Sequence, residues 1–84
     1  MAERICVAAA ATVSPAALAV LRDLGFSISH VDAHLLQATK SGCRLLAEDP
    51  ILLLGLAKLV EQRGAGWRPT DAEVAAAVEF DRRR

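Results

Sequence analysis

No stretch of this 84-residue chain reaches the ~18 consecutive apolar residues that a membrane-spanning helix requires. A membrane span is excluded on that ground. Glycine is sparse and scattered: the five glycines stand singly or near-singly, so there is no glycine-rich loop to cradle a phosphate. No pair of carboxylates is spaced within one element as glycoside hydrolysis would need. Internal repeats, low-complexity linkers and a second domain are missing too. Residues 1–84 therefore read as one small domain. The chain also lacks a net charge, with ten basic residues against ten acidic. Leaving aside Arg82, Arg83 and Arg84, seven basic residues face ten acidic, which gives a body of −3 and a tail of +3. An acidic body makes nucleic acid an unlikely partner. The opening "MAERICVAAAATV" makes a poor secretory signal, because Glu3 and Arg4 interrupt it and it has no leucine-rich core. A cytoplasmic location is expected, and Cys6 and Cys43 are expected to be buried, reduced thiols.

What is present is apolar: 54% of the residues are hydrophobic, which excludes disorder. Size scaling gives a folded surface of roughly 4,800 Å² and a buried fraction of about 63%, a thin margin for a chain of this length. Small cores of this kind gain from association, and the apolar excess suggests surface reserved for a partner.

The punctuation along the chain is clear. Ile5, Cys6 and Val7 favour a strand and the following alanines a helix; the break at Thr12 points to a strand over residues 4–12. Ser14 caps and Pro15 opens a helix whose Ala17, Leu21 and Leu24 share one face, with Gly25 closing it. "FSISHV" alternates as a half-buried strand. "LLQATKSGCRLLAE" reads as a hairpin in which Leu36 and Ala38 pair with Cys43, Leu45 and Ala47 around Ser41-Gly42. Asp49 caps and Pro50 opens a second helix ending at Gly64. Its first half, Ile51 to Leu56, is apolar all round and is expected to be buried on most sides, with Gly55 at a close approach. Thr70 and Glu73 form a capping box for a third helix over 71–81. The order β-α-β-β-α-α predicts an α+β fold, a small, mainly antiparallel three-stranded sheet with helices on one face.

Three stretches carry candidate chemistry. On an extended strand His30, Asp32 and His34 point to one side, as zinc or non-haem iron ligands would, with Cys43 or Glu48 as a further donor; the plainer reading is a solvated strand end. Cys43 beside either histidine would make a thiol nucleophile, although an inward-facing thiol is inert. The second and third helices resemble a DNA-binding helix pair, but their connection is long and the third helix begins with Asp71 and Glu73. Trp67, flanked by Arg63 and Arg68, is either a plug between two helices or an interface anchor, since Trp and Arg concentrate at binding hot spots. The plug is the favoured reading, because Gly64, Pro69 and Thr70 fix both ends of the loop.

No motif specifies a reaction or a cofactor. The expected role is a non-enzymatic domain that binds a protein, itself or another: a regulator, an accessory subunit or an immunity- or antitoxin-type neutraliser. A metal-dependent or thiol enzyme and a DNA-binding module are the alternatives.

Overall fold

A two-residue turn organises the sheet. Gly42 adopts φ 75°, a conformation that side chains resist, and so lets Ser41-Gly42 reverse the chain within two residues. The computed structural model describes residues 4–7 and 13–83. Its elements are α1 (Val13–Asp23), β1 (Ser27–Asp32), β2 (Leu35–Lys40), β3 (Cys43–Ala47), α2 (Pro50–Arg63) and α3 (Asp71–Arg82). A short 3-10 turn, Gly64–Gly66, lies between the last two helices. The three strands form one antiparallel sheet in the order β1-β2-β3.

The fold is thus α+β with a three-stranded antiparallel sheet, but its strands are not all the expected ones. Residues 4–7 lie in no strand and are exposed, Ile5 at 82%. The rest of that predicted strand, residues 8–12, falls outside the described residues. The third strand comes instead from residues 26–40, which divide into β1 and β2 around Ala33-His34. The β2–β3 hairpin pairs Leu36 with Ala47 and Ala38 with Leu45.

The parity of this register sorts the side chains. Ile28, Ala38 and Leu45 share the inner face, as do Leu36 and Ala47. Leu21 of α1 and Leu53 and Ala57 of α2 close over them, with Leu21 and Leu53 wholly buried. The opposite face is polar, with Gln37 donating to the Ser29 hydroxyl and Arg44 donating to Gln37.

Local signals explain the helix ends. Gly25, at φ 97°, closes α1, while the amides of Gly25 and Phe26 donate back to the carbonyls of Arg22 and Leu21. Asp49 Oδ1 accepts from the Leu52 amide at 2.9 Å and caps α2. Thr70 and Glu73 bond reciprocally at the start of α3. At α1 the boundary differs: the helix starts at Val13, so Ser14 lies inside the first turn rather than at the cap.

Burial along α2 departs from the all-round apolar pattern. Ile51, Leu52 and Gly55 face outward, and nothing lies within 4 Å of where a Gly55 Cβ would stand. α1 and a three-stranded sheet can cover only one stripe of α2, so its second apolar face stays in solvent. No residue of α3 is buried.

Candidate protein-binding groove

Five consecutive residues, Gly42 to Leu46, line one groove of about 370 Å³. Side chains of successive strand residues point to opposite faces, so a cavity bordered by all of them runs along the edge of the strand. That edge belongs to β3, the last strand of the sheet. Across the groove stand Leu56, Leu59 and Val60 of α2, and Trp67 closes its end. Arg44 is the one charged residue among those lining it. A second cavity of about 230 Å³, bordered by Leu24, Phe26, Lys40 and Glu61, shares Cys43 and Val60 with the first.

The backbone at this edge has donors and acceptors to offer. A two-residue turn makes Lys40 and Cys43 a hydrogen-bonded pair. Hydrogen-bonded and non-hydrogen-bonded pairs alternate along an antiparallel ladder. Arg44 and Leu46 therefore turn their amides and carbonyls away from β2, toward the groove. The other sheet edge differs: β1 breaks register between His30 and Asp32 and carries polar side chains, which discourage strand addition.

Trp67 is not a core plug. It is 41% exposed, with the Arg68 guanidinium 4.9 Å from the ring centroid. Its other side borders the groove, so the ring is half packed and half offered. Of the three residues grouped as a partner site, the structure stacks Trp67 and Arg68 together and turns Arg63 elsewhere. Arg63 makes a forked pair with Glu73, one arm Nη1 to Oε1 at 2.9 Å and the other Nη2 to Oε2. That pair joins the end of α2 to the first turn of α3. The Arg63 bond, and after it the Thr70 amide, hold the Glu73 carboxyl down at about 2, while Glu73 raises the Arg63 guanidinium.

The His30, Asp32 and His34 positions do not converge on a metal. A one-sided array needs extended backbone from 30 to 34, but β1 ends at Asp32. Asp32 Oδ1 instead accepts the His34 amide at 2.7 Å and stabilises the turn. Among the described residues no three His, Cys, Asp or Glu side chains are grouped to hold a metal ion. Glu48 follows β3 at the histidines' end of the sheet but forms no three-ligand group with them among the described residues, and Cys43 stands apart. His30 and His34 stand at the β1–β2 turn end of the sheet and Cys43 at the opposite end of β2, about 13 Å or more away along the strand. That separation leaves the thiol no imidazole base. Cys6 is exposed rather than buried, and Cys43 is half-buried.

Sequence reasoning passed over the β3 side of the groove. Its signal is the doublet Leu45-Leu46. In an alternating hairpin strand the second leucine must fall on the polar face, and Leu46 is indeed 40% exposed there, beside Gln37. Comparison with known proteins adds no relative: no family model, no curated protein and no solved structure matches this chain.

Proposed function

We propose that this chain is a non-enzymatic protein-binding domain whose binding surface is the groove between β3 and α2. The observation that carries the reading is the groove itself: an apolar trough along a strand edge that pairs with no other strand among the described residues, closed by a half-exposed tryptophan under an arginine. Strand addition supplies affinity through backbone hydrogen bonds and specificity through neighbouring side-chain pockets, a common mode of peptide recognition. Aromatic and arginine residues at the rim are those that dominate binding energy elsewhere. The roles that fit are a regulator, an accessory subunit or an immunity- or antitoxin-type neutraliser in the cytoplasm.

Site-specific photocrosslinking in cells tests this reading. A benzophenone side chain at Leu46 or Leu59, which line the groove, should give discrete protein adducts, and one at Ser27 or Thr39, on strands away from the β3 edge, should not. Adducts from the groove positions should fall at least fivefold on Trp67→Ala. Equal yields from the groove positions and from Ser27 and Thr39 would contradict the proposal.

A further inference from the structure

The groove has an occupant that the chain itself can supply. We propose that β3 of a second copy fills it, the two β3 edges pairing antiparallel about a twofold axis at Leu46 to form one six-stranded sheet. This partner rests on the protein-binding reading of the same groove.

Backbone parity limits the pairing. Within β3 only Arg44 and Leu46 direct their amides and carbonyls outward, so these must face the second copy, with Glu48 one residue beyond the end of the strand. Charge then selects among the registers. Centring the pair on Arg44 opposes two arginines, and centring it on Glu48 opposes two glutamates. Centring it on Leu46 sets Arg44 against Glu48 of the second copy, twice, with the leucines meeting between them. Opposite charges directly across strands stabilise a sheet and like charges destabilise it. Both groups are available for this: Arg44 spends its Nε on Gln37 and makes no other bond among the described residues, and Glu48 is exposed without an ion pair there.

A standard interface takes ~800 Å² per partner, and the β3 edge has apolar surface to give to one, with Leu46 40% exposed. With the axis perpendicular to the sheet, the inner faces of both copies lie on one side. The two α2 helices then border a shared trough, and the outward apolar residues of β3 leave solvent. Isologous twofold pairs of this kind are the commonest homo-oligomers.

A charge-swap cycle on the full chain, read by sedimentation at low salt, tests the register. Arg44→Glu alone and Glu48→Arg alone each oppose like charges at two places and should weaken self-association at least tenfold. Arg44→Glu/Glu48→Arg in one chain restores both pairs and should recover association to within about threefold of the original. Circular dichroism of each variant should match the original, since both side chains lie outside the core. Association that is unchanged in the single variants, or not recovered in the double, would overturn the proposed register. A chain that stays monomeric at high micromolar concentration would overturn the second copy as partner. If Leu46 then still crosslinks to a different protein, the protein-binding reading stands without it; if Leu46 crosslinks to nothing, both fall.

Discussion

Two helices of this chain start with equally good signals and end with different fates. α2 has the Asp49 cap and Pro50, and it buries Leu53 and Ala57 in the core. α3 has a complete capping box and buries nothing; Val74, Val78 and Phe80 all lie exposed, the last at 76%. A cap satisfies the first amides of a helix wherever that helix stands. Packing depends on what lies opposite, and only α2 has a sheet opposite it. The forked Arg63–Glu73 pair ties α3 to the body at its first turn, and an exposed ion pair is a weak tie. A helix of twelve residues without packing is marginal in water. The buried core of the described residues lies between Val13 and Arg63, and α3 is attached to it rather than built into it.

The contrast can be broken by substitution. Leu53→Ala removes a wholly buried leucine and should cost about 2–5 kcal/mol in chemical denaturation. Phe80→Ala, the corresponding loss of a large side chain from α3, should cost less than about 0.5 kcal/mol, as surface changes do. Equal effects would mean that α3 is packed. Between these extremes, Trp67→Ala should cost about 1–2 kcal/mol, well short of the value for a core tryptophan, because only one side of the ring is covered. Its emission should respond to iodide. Thr70→Ala should remove about 1 kcal/mol of helix stability. The loss should appear in the amide exchange of α3 and leave the denaturation midpoint of the body in place.

Gly55 sharpens the comparison from the other side. Its Cβ site is open, so Gly55→Ala should stabilise α2 by about 1 kcal/mol through helix propensity alone. Destabilisation would return Gly55 to a close contact.

The smallest effect is the tie itself. The Glu73 carboxyl is held at about 2, below its ordinary 4.5, chiefly by Arg63 and then by the Thr70 amide. A depressed carboxyl contributes stability that is fully present above the unfolded value and is lost as pH falls through the folded one. Attachment of α3 should therefore weaken between about pH 4.5 and 2, and Arg63→Ala should move the Glu73 titration, followed by NMR, back toward the ordinary value.

These contrasts also mark what was legible in the sequence. Ser41-Gly42, Gly25, Asp49-Pro50 and the Thr70–Glu73 pair act within a few residues of themselves, so reading them needs no knowledge of the rest of the molecule. The hairpin register follows from the alternation of Leu36, Ala38, Leu45 and Ala47 on one face. Burial is different, because an apolar residue is covered only if another element reaches it. Ile51 and Leu52 were read as buried from their composition, yet α1 and the sheet cover only the stripe through Leu53 and Ala57. Trp67 was read as a plug from its fixed loop ends, but fixing the ends of a loop does not turn its ring inward. The one-sided array of His30, Asp32 and His34 assumed extended backbone, and the turn-forming tendency of Asp32 ended the strand first. The Leu45-Leu46 doublet was visible, and its meaning depended on knowing that β3 is an edge.

That edge is where the account is most exposed to a single measurement. Amide hydrogen exchange, followed from low to high micromolar protein, reports on Arg44 and Leu46, whose amides point away from β2. If the edge is an interface between two copies, these two amides exchange quickly when dilute and become protected as concentration rises, while the amides of α3 exchange quickly throughout and those of Leu53 and Ala57 stay protected. Fast exchange at Arg44 and Leu46 at every concentration would contradict the account.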